Sequence, residues 1–202
     1  MKIICIGRNY ADHITELGNE RPENPVIFMK PDTALLRNND PFYYPEFSND
    51  IHYECELLVK IKKEGKSIDP KFAHKYYDEV GLGIDFTARD IQSHAKEKGL
   101  PWERAKAFNG SAPISEFISK EGFDLTNTEF ELELNGNVVQ QANTSLMLWP
   151  VDELIAYVSK YFTLKTGDII FTGTPKGVGP VSIGDHLKGT LAGKEMFNFE
   201  IK

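Results

Sequence analysis

The sequence predicts an α+β protein that is mainly β, folded as a single domain over residues 1–202. Eleven prolines and sixteen glycines are spread along the chain, which indicates many turns between short elements. Residues 51–61 alternate in the manner of a strand, and the run TEFELEL-NG-NVVQQ, residues 128–141, is typical of a β-hairpin. A chain of 202 residues is long enough to bury its own core.

The N-terminal elements follow in order. Residues 2–7 predict a short buried strand, and residues 9–17 predict a helix in which Tyr10, Ile14 and Leu17 recur at helical spacing. The remaining predicted elements are strands at 25–30, 51–61 and 80–86, the hairpin, helices at 88–98 and 152–162, and short strands with glycine turns from residue 167 onward.

Composition excludes several classes of protein. The net charge is −7 and lysine and arginine are scattered, which argues against a nucleic-acid-binding surface. Cys5 and Cys55 lie in apolar stretches and cannot build a disulfide framework, which fits a reducing compartment. The apolar run at 3–6 is too short for a membrane span or a signal-peptide core. A cytoplasmic protein without nucleic-acid or membrane partners is expected.

Two carboxylates on the 51–61 strand are candidate metal ligands. Glu54 and Glu56 are two residues apart and project to the same side, which is how a hard cation such as Mg²⁺ can be held by oxygen. The same spacing fits the solvated face of a half-buried strand. The three glutamates of TEFELEL share it, and there we expect only the wet side of a hairpin.

Asp85 is a third candidate ligand. It follows an apolar strand and precedes a helix, so it is expected to be partly buried and to need a partner. That partner can be a metal ion, Arg89 or exposed helical amides, and a helix cap or a salt bridge is the structural alternative. Thr87 is the expected N-cap of the 88–98 helix, with Asp90 at the capping-box position. Together with Glu54, Glu56 and waters, Asp85 would form an open Mg²⁺ or Mn²⁺ site.

His13 and Glu16 form a candidate general-base pair. At i and i+3 on a helix they are neighbours, so the carboxylate can orient the imidazole and raise its basicity. A surface ion pair has the same spacing.

Further residues can bind an anionic substrate. Lys30, Arg89 and Lys106 can each hold a carboxylate or an enolate oxygen, and Gln92 would share the helix face of Arg89. Taken alone, each of these cations is more often a solvated surface charge. The glycine-rich stretch at 173–179 lacks the order of a phosphate-binding loop, and no helix pattern follows it, so nucleotide binding is rejected. A tight loop that presents amides or the Thr174 hydroxyl to an anion remains open.

Six blocks, in order along nearly the whole chain, resemble the fumarylacetoacetate hydrolase family in its short acylpyruvase-like branch. They are GRNYADHITEL, FMKP, HYECELLVKI, GIDFTARDIQ, KGLPWERAKAFNGSAPIS and IIFTGTPKGVGP. The resemblance implies a fumarylacetoacetate hydrolase-like layered β-roll with a few peripheral helices, assembled as a homodimer.

The resemblance also implies roles for named residues. The implied ligands of Mg²⁺ or Mn²⁺ are Glu54, Glu56 and Asp85. The implied catalytic residues are His13, Glu16 and Lys106. The implied substrate-binding residues are Arg8, Lys30, Arg89, Gln92 and Thr174.

The implied activity is metal-dependent hydrolysis of a carbon–carbon bond in a 3-acylpyruvate, which releases pyruvate and a carboxylic acid by way of an enolate. The same enolate arises when oxaloacetate loses CO₂, and when a 2-oxo diacid isomerises, as in a 2-hydroxyhepta-2,4-diene-1,7-dioate isomerase. Hydrolase, decarboxylase and isomerase therefore remain open in that order. A β-rich interaction protein that keeps the scaffold and binds no cation is the non-enzymatic alternative.

Overall fold

The computed structural model describes residues 1–16, 18 and 20–202, and short strands dominate it. The strands are β1 (Ile3–Gly7), β2 (Val26–Lys30), β3 (Leu35–Leu36), β4 (Ile51–Tyr53), β5 (Cys55–Ile61), β6 (Tyr77–Ile84), β7 (Thr87–Ala88), β8 (Ala112–Pro113), β9 (Ile118–Ser119), β10 (Glu129–Leu134), β11 (Asn137–Asn143), β12 (Ile169–Phe171), β13 (Gly179–Pro180), β14 (His186–Leu191) and β15 (Lys194–Glu200). The helices are α1 (Ala11–Glu16), α2 (Pro70–Ala73), α3 (Arg89–Lys98), α4 (Glu103–Lys106) and α5 (Val151–Tyr161). The prediction of a mainly β α+β protein is confirmed.

Two larger sheets form the body of the molecule. In the described residues, the six-stranded sheet has the order β2-β1-β12-β5-β6-β9, and the four-stranded sheet has the order β11-β10-β14-β15. Within the six-stranded sheet β1 and β12 pair in parallel, and the other described neighbours are antiparallel. Smaller sheets join β13-β4-β7 and β3-β8.

The central strand β5 is covered on both faces. Leu57 and Val59 belong to the large core shared with the four-stranded sheet, and Leu58 points into a smaller cluster with Phe171 on the opposite face. Strands buried on both faces carry apolar residues at successive positions, which explains the run LLV. The layered arrangement follows from this double burial.

The predicted strand at 51–61 is interrupted. It divides into β4 and β5, which belong to different sheets, and Glu54 is the residue between them. The prediction of one continuous strand was therefore wrong at this point. The alternation continues through the break because Tyr53 and Cys55 both remain in the large core.

Other predictions had mixed outcomes. The hairpin is confirmed, with Asn135 and Gly136 at φ values of 51° and 79°, the positive pair that tight hairpin turns require. Helix α5 is confirmed. Thr87 is not a helix cap, because it lies in β7 and helix α3 begins after Ala88 without a side-chain cap. Helix α4 was not predicted, and Leu17 lies outside the described residues.

None of the helices in residues 1–16, 18 and 20–202 has both the length and the apolar content needed to cross a membrane.

Candidate active site

The register between β5 and β6 brings three carboxylates together. Cys55 pairs with Ile84 and Glu56 pairs with Gly83, so Asp85, the next residue after β6, arrives beside Glu54. The amide of Asp85 donates to the carbonyl of Glu54 at 2.8 Å. Glycine is needed opposite Glu56, because a Cβ at Gly83 would lie 2.8 Å from the carbonyl oxygen of Pro113.

The three carboxylates are buried and close. One oxygen each from Glu54, Glu56 and Asp85 lies within 4.8 Å of the others, and the residues are only 5%, 2% and 1% exposed. The solvated-face interpretation of Glu54 and Glu56 is therefore wrong. It holds for TEFELEL, where Glu129 is exposed and Glu133 pairs with Lys188 at 2.7 Å.

Two cationic side chains neutralise Glu54. Lys106 Nζ donates to Glu54 Oε2 at 2.8 Å, and Arg89 donates to Glu54 Oε1 at 2.6 Å. Burial alone would raise the pKa of Glu54, but Lys106 and Arg89 outweigh it and hold that pKa well below its usual value. Glu54 is thus an ionised carboxylate with both oxygens in use.

Lys106 links Glu54 to Asp85. Its ammonium also donates to Asp85 Oδ2 and to Thr87 Oγ1, both at 2.6 Å. Burial alone would lower the pKa of Lys106, but the carboxylates of Asp85 and Glu54 raise it above its usual value. Lys106 is therefore a permanent positive charge at the floor of the site.

Lys30 supports Asp85 from behind. Its ammonium lies 2.8 Å from Asp85 Oδ1, an ionic contact without hydrogen-bond geometry, and it donates to Ser111 O and Oγ at 3.0 Å each and to the carbonyl of Lys106. These carbonyl contacts hold the lysine in one place, so it positions Asp85 while balancing its charge.

Glu56 has a different environment from Glu54 and Asp85. Its Oε2 accepts from the amide of Gly173 at 2.6 Å, and in the described part of the chain no lysine or arginine pairs with it. Burial and the negative charge of Asp85 raise its pKa well above the usual value.

This arrangement fits a divalent cation. The three side chains offer carboxylate oxygens, which are the ligands that Mg²⁺ and Mn²⁺ prefer. A cation bound by them would also supply a positive counter-charge for Glu56. Glu54, Glu56 and Asp85 are the residues that would hold it.

His13 and Glu16 are in contact, as the spacing predicts. His13 Nδ1 lies 3.3 Å from Glu16 Oε2, and Glu16 Oε1 accepts from the amide of Gly177 at 2.9 Å. Glu16 thereby connects α1 to the glycine-rich loop at 173–179. His13 is buried, and this burial lowers its pKa below the ordinary value. The imidazole is therefore neutral at pH 7 and able to accept a proton.

These residues surround one cleft with about 440 Å³ of empty space, part of it open to solvent. Nine of the eleven predicted site residues line it, namely Arg8, His13, Glu54, Glu56, Asp85, Arg89, Gln92, Lys106 and Thr174. The other two act from behind, since Glu16 contacts His13 and Lys30 contacts Asp85. Arg8 has a φ of 62°, a conformation uncommon for a residue other than glycine and frequent at functional sites.

Five further residues line the cleft and were not predicted: Ile6, Gly7, Phe28, Lys96 and Trp102. The ammonium of Lys96 lies 5.9 Å from the centre of the Trp102 ring. Although Lys96 is exposed over much of its surface, partial burial and the charges of Arg89 and Arg8 lower its pKa. The position of Lys96 could have been predicted from the sequence, because Arg89, Gln92 and Lys96 lie at i, i+3 and i+7 on one helix face.

The chain matches the model of the fumarylacetoacetate (FAA) hydrolase C-terminal family over residues 2–201. It is 43% identical to oxaloacetate tautomerase YcgM of Escherichia coli, over 96% of this chain and 90% of that protein. It is 45% identical to the mitochondrial oxaloacetate decarboxylase of Dictyostelium discoideum, over 95% of this chain and 89% of that one.

A solved structure of similar fold gives the same family. Fumarylpyruvate hydrolase from Pseudomonas aeruginosa, in complex with Mn²⁺ and pyruvate, superimposes with a TM-score of 0.95 at 33% identity, covering 100% of this chain and 89% of that one. The predicted fold and the predicted family are both confirmed. The chain belongs to the fumarylacetoacetate hydrolase family.

Proposed function

We propose that this chain is a divalent-metal-dependent enzyme that acts on a small 2-oxo dicarboxylic acid, with oxaloacetate as the first candidate, through an enolate. The observation that carries the proposal is the buried cluster of Glu54, Glu56 and Asp85, surrounded by fixed cations in one cleft. The tautomerase and decarboxylase relatives are named for oxaloacetate, which favours this substrate over the acylpyruvates expected first from the family resemblance. Homodimer assembly and a cytoplasmic location remain parts of this proposal.

The chemistry needs negative charge to be stabilised on the 2-oxo oxygen. A Mg²⁺ or Mn²⁺ ion would supply Lewis acidity for this purpose. Lys106 adds a fixed positive charge on the floor of the cleft. Arg89 is held by Gln92 Oε1 at 2.6 Å, so its guanidinium is oriented to bind a substrate carboxylate.

His13 is the proposed proton carrier. Because its Nδ1 faces Glu16, Nε2 is the nitrogen left to exchange protons with a substrate. In tautomerisation it removes a proton from C3 of the keto acid, and the enolate oxygen is then protonated. In decarboxylation the C3–C4 bond breaks, CO₂ leaves, the electron pair passes to the enolate, and a proton returns to C3 to give pyruvate.

Hydrolysis of a 3-acylpyruvate is the second candidate. The His13–Glu16 contact beside the cleft favours it, because an oriented neutral imidazole can deprotonate water for attack on the distal ketone. The bond between that carbonyl carbon and C3 then breaks, with the electron pair passing to the same enolate. The fumarylpyruvate hydrolase relative supports this alternative.

One set of assays tests both candidates. The purified chain is given oxaloacetate or acetylpyruvate, with Mn²⁺, with Mg²⁺ or with EDTA. Enol absorbance reports tautomerisation, and a coupled pyruvate assay reports decarboxylation or hydrolysis. We expect metal-dependent conversion of oxaloacetate that EDTA abolishes. Failure to convert either acid with either metal would overturn the proposed function.

Lys96 is expected to select substrates with a second carboxylate. Arg8, Arg89 and Lys96 place positive charge at one side of the cleft, where the far end of a diacid would lie. Lys96→Met should raise KM for oxaloacetate about five-fold, since an exposed charge contributes up to about 1 kcal/mol. KM for acetylpyruvate, which ends in a methyl group, should not change.

Lys98→Met is the matched control for this prediction. Lys98 is on the same helix and is exposed beside Glu97, away from the cleft. Its variant should leave KM for both acids unchanged. An equal increase for oxaloacetate and acetylpyruvate in Lys96→Met would show that Lys96 does not discriminate between them.

A further inference from the structure

We propose that Gln140 is a positioning residue that holds the backbone between Glu54 and Glu56 and so sets the affinity for the metal ion. The inference rests on the metal site of the proposed function. Gln140 lies on β11, in the hairpin whose sequence predicted only a structural role. It is 1% exposed, although its neighbour Gln141 is exposed.

The side-chain amide of Gln140 uses both of its ends. Its Oε1 accepts from the amide of Cys55 at 2.9 Å, and its Nε2 donates to Thr174 Oγ1 at 2.9 Å and to the carbonyl of Pro175 at 3.0 Å. The orientation of the amide is unambiguous, because a backbone N–H only donates and a carbonyl only accepts. Thr174 Oγ1 in turn donates to the carbonyl of Cys55 at 2.8 Å.

These bonds close a ring around the residue between the two glutamates. The amide of Cys55 belongs to the peptide that it shares with Glu54, and its carbonyl belongs to the peptide that it shares with Glu56. Gln140 fixes the first peptide plane, and Thr174, held by Gln140, fixes the second. The directions in which both carboxylates leave the backbone therefore depend on this ring.

The sheet itself does not provide this support. The carbonyl of Glu54 accepts from Asp85 on the β6 side, so the N–H and C=O of Cys55 point to the other side of β5. On that side β12 pairs with β5 only from Leu58 to Lys60.

The loop after β12 continues the pairing in place of a strand. Thr172 donates its amide to the carbonyl of Leu57 at 3.1 Å, and Gly173 donates to the side chain of Glu56. The buried N–H of Cys55 has its partner in Gln140, and a buried donor without a partner is costly. Gln140 thus completes the edge of the sheet at the point where the metal ligands leave it.

The experiment compares Mn²⁺ affinity in Gln140→Met and Gln141→Met, by isothermal titration or by the electron paramagnetic resonance of free Mn²⁺. Partners that orient ligands typically change metal affinity by about 10- to 100-fold. We expect Gln140→Met to weaken Mn²⁺ binding by about that factor and Gln141→Met to leave it unchanged. At saturating Mn²⁺, kcat for oxaloacetate should return to within about three-fold of the wild-type value, since no group that touches substrate is removed.

A merely structural role predicts a different result. Gln140→Met would then lower the melting temperature and leave the Kd for Mn²⁺ unchanged, and this outcome would overturn the proposal. If wild type binds Mn²⁺ but converts no 2-oxo acid, the proposed function fails while the affinity comparison still decides the role of Gln140. If wild type binds no Mn²⁺, both proposals fail.

Thr174→Val supplies a second variant that keeps the shape of the side chain. It removes the hydroxyl that joins Gln140 to the carbonyl of Cys55. If the two residues act through one ring, the double variant should bind Mn²⁺ no more than about two-fold more weakly than the weaker single variant. Fully multiplicative losses in affinity would show that Gln140 and Thr174 act independently and would contradict the proposal.

Discussion

Glu56→Gln is expected to abolish Mn²⁺ binding and metal-dependent turnover while leaving the metal-free chain at least as stable as wild type. Glu56 pairs with no lysine or arginine in the described residues, so its removal leaves no cation without a partner. Glutamine has the same shape and can still accept from the amide of Gly173. The melting temperature in EDTA should therefore equal or exceed that of wild type, because burial and Asp85 disfavour an ionised side chain at this position. The increase in melting temperature that Mn²⁺ produces in wild type should disappear.

Glu54→Gln is the matched comparison. It should also abolish turnover of oxaloacetate, but here Lys106 and Arg89 both lose an anionic partner. Breaking a buried ion pair by removing one partner costs about 3–5 kcal/mol, so the metal-free variant should unfold at a clearly lower temperature. Metal-dependent activity in either variant would contradict the assignment of the metal ligands. Equal destabilisation of both variants would contradict the conclusion that Lys106 and Arg89 balance the charge of Glu54 and not that of Glu56.

The sequence predicted the elements of the fold better than their boundaries. The hairpin and α5 could be predicted because turn residues and helical spacing are local signals in the sequence. The break between β4 and β5 at Glu54 could not be predicted, since the alternation of the sequence continues through it without a change. Helix α4 is only four residues long, too short for a periodic pattern.

The carboxylate cluster shows that residue spacing alone does not identify a binding site. Glu54 and Glu56 have the same two-residue spacing as Glu131 and Glu133, yet the first pair is buried and the second is half-exposed. What separates them is the coverage of β5 by another sheet and by a loop that is more than one hundred residues away in the chain. Such contacts are long-range and leave no trace in the local sequence. The resemblance to a family, rather than the spacing, therefore distinguished the two pairs.

Gln140 was missed for the same reason, since 85 residues separate it from Cys55. Its neighbour Gln141 has the same side chain and lies exposed. Composition could not distinguish these two glutamines, although alternation on β11 predicts that one of them faces inward.

His13→Ala is expected to separate the reactions that share the enolate. Tautomerisation and acylpyruvate hydrolysis both need a base, so we expect each to fall by about 10²- to 10⁴-fold. Oxaloacetate decarboxylation should fall by less than about ten-fold, because solvent can return the proton to C3 once CO₂ has left. His94→Ala, which removes an exposed histidine from α3, should change none of the three rates.

The pH dependence supplies an independent test of His13. Burial lowers its pKa below 6.5, so the neutral form that accepts a proton persists at pH 6.5 and is lost only as the pH falls through the lowered value. Tautomerisation by wild type should therefore keep most of its rate at pH 6.5 and decline below it, and this decline should be absent from the residual activity of His13→Ala. Equal losses of hydrolysis and decarboxylation in the variant would exclude a role in activating water, and would instead place His13 in a proton transfer common to both reactions.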